Sequence, residues 1–560
     1  MEVKKIVKKI IQANPQNNEE FLRLKREFFY QKKMKQISNA ELLKLYNKLN
    51  NKQGDKIKEI LKKRKIRTLS GVAPIAVLTK SYSCPGKCVY CPTEKNIPKS
   101  YLSNEPAVMR AIICNFNPYK QVSIRIKALE ANGHNVEKIE LIVMGGTWSF
   151  FSKKYQYWFI KECFRSANEY NNELRITNYE LRNNYSKLKI KELKKELIKE
   201  QKKNEKAKYR IVGLTLETRP DYINEKEIIN FRNLGCTRVE IGVQAIDDKI
   251  LKLNRRGSDI KDIIRATKLL RQAGFKICYH LMPNLPGSTP AKDLALFKKI
   301  FSNRNFRPDQ IKIYPCAVVK GSRLYGWWKR GKYKPYADKQ LENLLIKMKK
   351  AVPYYVRIIR LIRDIPTVSI EAGNKISNLR QVLQKRLLDE GVVCKCIRCR
   401  EARNREIKQN DLKLFIEKYQ AGDGTEYFLS FESKDRKILF AFLRLRIPNF
   451  KNNISPFDKE SAPHLMLKGV GGFYNNFPEL KNSAIIRELH TYGKIVPIKN
   501  SKGKSAVQHK GLGKRLMLKA EEIAKQKRFK KIAVISGIGV REYYRKLGYK
   551  LEGTYMIKKL

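Results

Sequence analysis

The sequence has no apolar run approaching the roughly 20 residues that a membrane span requires, so no transmembrane helix is expected. Its first residues, MEVKKIVKKIIQANPQ, lack the apolar core and cleavage site of a secretory leader and read as a basic amphipathic helix. Acidic residues are scarce: 53 Asp and Glu stand against 119 Lys and Arg, a formal net charge of +66. A lysine-biased composition accounts for part of that excess. The remainder exceeds what solubility requires and points to a polyanionic partner, because each neutralised phosphate releases counterions. A paired cysteine framework is also missing. The 11 cysteines are odd in number and scattered except in two clusters, which excludes a secreted disulfide scaffold. They favour the reducing cytoplasm, where clustered thiols bind metal. Internal repeats are absent.

What is present is a long chain, 560 residues with 42% apolar, enough for about three or four domains. Residues 1–70 are basic, with apolar side chains at helical spacing. They end in Lys62-Lys63-Arg64-Lys65 and Arg67, a candidate phosphate-binding run. Over 71–384, short apolar strands such as APIAVLTK, KIELIVMGG, RIVGLTLETR, RVEIGVQ and KICYHLMPNLPG alternate with helical stretches, the βα pattern of a parallel barrel or open sheet. Within it, 171–208 is a charged insertion with little apolar periodicity, expected to form an exposed helix or disorder. Residues 385–410 carry the second cysteine cluster as a linker, and 411–560 read as an α+β domain.

The first cluster, SCPGKCVYCP, places Cys84, Cys88 and Cys91 directly after the first candidate strand. A disulfide knot, a zinc knuckle and an iron–sulfur cluster compete for it. No His or Cys follows before Cys114, so a zinc site lacks a nearby fourth ligand. Three thiolates on a cubane instead leave one iron open for substrate or cofactor. Here the chain resembles the radical S-adenosylmethionine (SAM) superfamily, whose signature is this cysteine spacing after the first strand of a partial barrel. The resemblance implies a 4Fe–4S cluster on Cys84, Cys88 and Cys91, with SAM on the open iron and a 5′-deoxyadenosyl radical as its product. Gly145 and Gly146 fall where that superfamily meets the SAM amino group, and Glu217 and Gln244, at later strand ends, are candidate SAM or substrate contacts.

Near the carboxyl end, AVQHKGLGKRLMLKAEEIAKQ has a glycine-rich turn opening a helix. Its outward N–H groups and the helix dipole favour a pyrophosphate, and Leu512, Leu516, Ala520 and Ile523 form its apolar face. This resembles the GNAT acetyltransferase fold, with Gln508, Gly511 and Gly513 as the acetyl-CoA turn. Tyr543 and Tyr544 follow the next strand, where a phenol can hydrogen-bond the thioester or protonate a leaving thiolate.

A radical SAM domain joined to a GNAT domain resembles one family, the catalytic subunit of Elongator and its single-chain relatives. Stretches such as IELIVMGGTW, GLTLETRPDY, NRRG, RELHTYG and VISGIGVREYYRKLGY look like its motifs in the same order. The expected fold class is α/β: a partial radical SAM barrel joined through a zinc-binding linker to an α+β GNAT domain, with a basic helical amino-terminal region. The resemblance implies a tRNA carboxymethyluridine synthase that uses SAM and acetyl-CoA to place a carboxymethyl group on carbon 5 of the wobble uridine. It further implies acetyl-CoA contacts from Lys138, Glu488, Leu489, His490, Leu512 and Tyr543, and a structural zinc on Cys394, Cys396 and Cys399 with Cys316 as the fourth ligand. The partner is the tRNA anticodon stem-loop; a homodimer is compatible with the sequence. Arg357, Arg360 and Arg363 are candidate RNA contacts, and Cys114, Cys163, Cys236 and Cys278 are expected in cores. The rival reading is a protein lysine acetyltransferase with a merely structural cluster.

Overall fold

The computed structural model describes residues 2–49, 55–62, 68–171, 185–403, 405, 411–449, 471–493 and 511–560. Lys63, Arg64, Lys65, Arg67 and Gln508 lie outside the described residues. Four helices begin the chain, Glu2–Gln12, Asn18–Gln31, Asn39–Lys48 and Asp55–Leu61. They close on a core of their own built from Ile6, Val7, Ile10, Phe21, Phe29, Leu42 and Tyr46. Asn17 caps the second helix, and Ser38 with Glu41 forms a reciprocal capping box on the third. Lys4, Lys5, Lys8 and Lys9 remain exposed on the first helix.

The next layer is an open parallel sheet. Its strands are β1 (Ala73–Leu78), β2 (Lys138–Met144), β3 (Arg210–Thr218), β4 (Arg238–Gln244), β5 (Lys276–Leu281), β6 (Gln310–Ile313) and β8 (Arg357–Arg360), hydrogen-bonded in that order. β7 (Val318–Val319) and β9 (Ile370–Ala372) form a small antiparallel ribbon. One face of each strand, including Val239, Ile241, Ile277, Tyr279, Ile311 and Ile313, joins the main apolar core. The alternate face is polar and lines the lumen of a partial barrel. The α/β fold class is as expected from the alternating strands and helices.

The insertion departs from expectation. Its helix Ile190–Asn204 packs on the helix Lys153–Glu169 with Leu193, Leu197 and Asn204 buried. A Leu pair four residues apart, extended by Gln201 and Asn204, makes a buried stripe that the surrounding lysines obscure in the sequence.

The second sheet has strands β10 (Leu412–Ala421), β11 (Gly424–Ser433), β12 (Leu439–Pro448), β13 (Ser483–Thr491), β14 (Lys531–Val534), β15 (Lys550–Glu552) and β16 (Tyr555–Lys559), in the order β10-β11-β12-β13-β14-β16-β15. Every pair is antiparallel except β13 with β14, which pair only over Ser483–Ile486. Among the described residues the β14 pairing ends at Ile486, so β14 does not cover the backbone edge of β13 from Arg487 to His490.

The two sheets are locked together by buried charge. Arg487 on β13 donates to Asp309 at 3.0 Å and Glu426 at 2.9 Å, and to the Phe275 carbonyl at 2.6 Å. Arg444 reaches the Tyr355 carbonyl at 2.8 Å and Glu488 at 2.9 Å. Phe275, Asp309 and Tyr355 each precede a barrel strand, so the second sheet docks on the amino ends of the barrel strands. No described helix is long and apolar enough to cross a membrane.

Candidate functional site

The carboxyl ends of β1 to β4 converge on the first cysteine loop, the end at which barrels place chemistry. Cys88 is buried, Cys84 and Cys91 half-buried. Cys84 Sγ lies 3.8 Å from Thr147 Oγ1, just after β2. The neighbouring Cys91 thiol and the Arg256 guanidinium, 3.7 Å from Cys88 Sγ, bring the Cys88 thiol down to about 4 against the effect of burial. The same pairing drives Cys91 up. A thiolate is the metal-binding form of cysteine.

The surroundings fit an anionic metal cluster. Arg219 is held by Asp221 at 2.9 Å and by the Arg256 carbonyl at 2.8 Å, while its buried Nη1 has no hydrogen-bond partner. That nitrogen points at the loop: a Cβ built on Gly86 would sit 2.4 Å from it and 3.5 Å from Cys88 Sγ. The three sulfurs are not gathered as tightly as a group for one ion. Among the described residues, those whose ligand atoms all lie within 4.8 Å are Cys394, Cys396 and Cys399, and Glu240, Cys278 and His280. Cys88 and Cys91 lie together as a hydrogen-bonded thiol pair, and Cys84 stands beside Thr147. Arg219 and Arg256 stand in GLTLETRPDY and NRRG, but the sequence pattern alone does not mark either as a site residue.

Around this loop stand the other residues expected at the SAM end. Gly145 and Gly146 take φ of +130° and +98°. A Cβ on Gly145 would fall 1.9 Å from the Thr79 hydroxyl, so only glycine fits. Gln244 ends β4 at φ +67°, a left-handed backbone uncommon outside glycine. Glu217 accepts from Tyr101 at 3.0 Å and faces His280 Nδ1 at 3.3 Å. His280 Nε2 in turn meets Glu240 at 2.8 Å, and Glu240 pairs with Lys312. Burial pushes the Glu240 carboxyl up, but Lys312, then His280 and Arg238, hold it far below its usual value. Arg238 also pairs with Glu140, so a seam of ionisable groups runs along the lumen to the amino ends.

The acetyltransferase-like turn lies at that other end. Gly511 caps the helix Leu512–Gln526 at φ +70°, and Leu512, Leu516, Ala520 and Ile523 are all buried. A Cβ on Gly513 would meet the Tyr543 hydroxyl at 3.0 Å, Thr491 at 3.7 Å and Leu489 at 3.9 Å. The turn, β13 and Tyr543 are therefore one locus. Strand alternation splits the β13 residues: Leu489 faces the turn, while Glu488 and His490 face the barrel. Glu488 lies 3.7 Å from Lys276, and Lys276 with Arg444 brings its carboxyl down to about 2 against burial. His490 Nε2 contacts the Ser70 carbonyl at 2.6 Å, and burial lowers its basicity. Lys138 opens β2 at the barrel end on which β13 docks, and burial lowers its pKa.

The two tyrosines separate. Tyr543 is 39% exposed, whereas Tyr544 is 6% exposed and packs edge-on to Tyr549. Adjacent residues on a short helix point about 100° apart, so Tyr544 belongs to the core and not to the turn.

Cys394, Cys396 and Cys399 form the tight trio, with Lys349 Nζ 3.7 Å from Cys399 Sγ. Cys316 is not with them. Its thiol lies beside Tyr333 and is pushed up to about 12 by burial. Cys316 follows the carboxyl end of β6, whereas Ile397 hydrogen-bonds Val356 at the amino end of β8. In a parallel sheet these are opposite ends, and Cys316 is not gathered with the trio. Cys114, Cys163, Cys236 and Cys278 are all buried. Of the candidate RNA-contact arginines, Arg357 pairs with Glu401 and Tyr492, Arg360 with Asp364, and Arg363 with Glu105. A separate groove of about 960 Å³ in the second sheet is lined by Lys418, Lys481, Lys527, Arg528, Lys530 and Lys531, with no carboxylate among the described residues that line it.

Comparison with known proteins covers both halves. The radical SAM superfamily profile matches residues 78–299, the radical SAM C-terminal domain 308–389, and the acetyltransferase (GNAT) family 504–549. A tRNA uridine(34) acetyltransferase of Methanocaldococcus infernus is 44% identical, over 93% of this chain and 91% of its own length. One from Dehalococcoides mccartyi is 42% identical over 89% of this chain and 100% of its own. Human Elongator complex protein 3 is 36% identical over 89% and 86%. A solved structure of the Methanocaldococcus infernus Elongator-type protein, with an N-terminal deletion (1–46), has a TM-score of 0.69 and 40% identity and covers 88% of this chain and 100% of that one.

Proposed function

The chain belongs to the family of tRNA uridine(34) acetyltransferases and Elongator complex protein 3, and from that premise we propose that it carboxymethylates carbon 5 of the wobble uridine of tRNA. The supporting observation is the pairing of two built sites in one chain: the cysteine loop with Arg219 and Arg256 around it, and the Gly511–Gly513 turn beneath Tyr543. Cys84, Cys88 and Cys91 would hold the 4Fe–4S cluster, and Gly145, Gly146, Glu217 and Gln244 would frame SAM. When bound, these groups supply hydrogen abstraction from an unactivated carbon. The chain's own residues do the rest. The edge of β13 that β14 leaves after Ile486 would offer backbone groups to the pantetheine arm, and the turn's N–H groups would receive the pyrophosphate. The Tyr543 hydroxyl, whose pKa burial raises, stays protonated and can donate to the thioester oxygen or sulfur. Lys138 would add a cation from the barrel side.

The two sites lie at opposite ends of strands such as the seven-residue β2, on the order of 20 Å at about 3.3 Å per residue. A long flexible acyl carrier suits that separation. The Cys394, Cys396 and Cys399 trio would bind a structural zinc that fixes the linker against β8. The excess of basic side chains, including those of the groove, suits the tRNA backbone. A reducing cytoplasm would keep the cluster cysteines available as thiols.

Anaerobic incubation with tRNA, a chemical reductant such as dithionite, SAM and acetyl-labelled acetyl-CoA tests the reading. Label is expected in a carboxymethylated uridine only when both cosubstrates are present. Label on protein lysine without SAM, and none in tRNA, would instead establish the protein acetyltransferase.

A further inference from the structure

The loop before the cysteines carries an aromatic ring that the fold does not bury. Lys80, Ser81, Tyr82 and Ser83 form an exposed ribbon leading into Cys84. Tyr82 stacks on Phe151, with ring centroids 4.7 Å apart and planes at 28°, yet the residue remains 41% exposed. Phe151 stacks in turn on Tyr155 at 4.8 Å and 23°. Phe150 meets Tyr82 edge-on at 5.9 Å and Tyr222 at 5.7 Å. The support is rigid: Tyr155 and Phe159 are buried, and Tyr155 accepts from the Lys80 backbone N–H at 3.1 Å. The same segment touches the cysteine loop, since Thr147 stands 3.8 Å from Cys84 Sγ. Lys80 and Lys87 are exposed on either side of Tyr82.

A stacked aromatic column whose outermost ring meets solvent beside lysines is how proteins hold unpaired nucleobases: every base has a π-face, and the cations follow the phosphates. A base presented for chemistry must leave its stack, and the nucleotides beside it lose a stacking neighbour. We propose that Tyr82 is a base-stacking residue that receives an unstacked anticodon-loop nucleobase at the mouth of the cysteine site, with Phe151 and Tyr155 as its support. The inference rests on the reading of tRNA as substrate. It adds a named contact and explains why an exposed tyrosine is braced by two further rings.

The test uses the full-length protein and an anticodon stem-loop RNA with 2-aminopurine next to the wobble position. Binding to the wild type should quench the 2-aminopurine. Tyr82→Ala should abolish the quench and raise the RNA Kd and KM about tenfold, the typical loss of one stacked base. Tyr82→Phe should restore both. Iron content and RNA-independent SAM cleavage should be unchanged in both variants. Tyr82→Ala that quenches and binds like the wild type overturns the proposal. So does a rise in the KM for SAM, which would assign the ring to the cofactor's adenine. Failure of the wild type to modify tRNA at all would sink the functional reading instead, so the two failures are distinguishable.

Discussion

Replacing Arg487 with methionine tests whether buried charge holds the two sheets in register. Arg487 is 1% exposed and bridges Asp309 of the barrel and Glu426 of the second sheet. Methionine keeps most of the apolar volume and removes the charge, leaving two buried carboxylates short of a partner. Breaking one side of a buried ion pair costs about 3–5 kcal/mol. Here Arg446 still meets Glu426 at 3.0 Å and Arg444 lies 3.6 Å from Asp309, which sets the expected loss near the low end, about 3 kcal/mol. Denaturant unfolding with hydrogen exchange on β13 reads it. The pH dependence separates charge from packing. Burial pushes Asp309 and Glu426 up, but Arg487 leads the charges that pull both below their usual values. A carboxylate depressed in the folded state stabilises above its unfolded pKa and loses that contribution as pH falls. The wild type should therefore lose stability from about pH 5 downward. In the variant these groups protonate more readily, so the gap between the two proteins should narrow between pH 7 and pH 4. A loss under about 1 kcal/mol, the worth of a surface pair, or a gap constant with pH, refutes the reasoning.

Gly511→Ala forces a side chain into a backbone at φ +70° with no described residue within 4 Å of the added carbon, so the cost is conformational, about 1–2 kcal/mol; the acetyl-CoA KM should rise with iron content unchanged. Tyr543→Phe should lower the rate of product formation by about 100-fold or more if its proton is used, while Tyr544→Phe should retain activity; equal effects would contradict the separation of the two rings. Cys399→Ser should deplete zinc measured by elemental analysis, whereas Cys316→Ser should leave it unchanged, and zinc loss in the latter would restore Cys316 as a ligand.

Much of this architecture is legible in the chain because its signals are local. Strands such as RVEIGVQ announce themselves by β-branched content, and the glycine turn before Leu512 and the Cys84–Cys91 spacing are short-range patterns. What escapes is non-local. Arg357 looks like part of a basic surface stripe, yet RIIR is the strand β8 and Arg357 is turned onto Glu401, while Arg360 stays exposed beside Asp364. The lumen seam of Glu217, His280, Glu240 and Lys312 comes from four strands, and each residue alone resembles an ordinary polar position. The place of Cys316 is not legible either, because standing at the end of a late strand does not say which end of the parallel sheet the second cysteine cluster packs against. Leu193 and Leu197 are masked by the lysines that surround them.

The central claim is that the two sites act on one acetyl group. Acetyl-CoA trideuterated on its methyl group, supplied anaerobically with SAM, reductant and tRNA, measures this directly. The account predicts deuterium in the 5′-deoxyadenosine released. Deoxyadenosine free of deuterium, formed alongside a labelled tRNA or protein product, would contradict it.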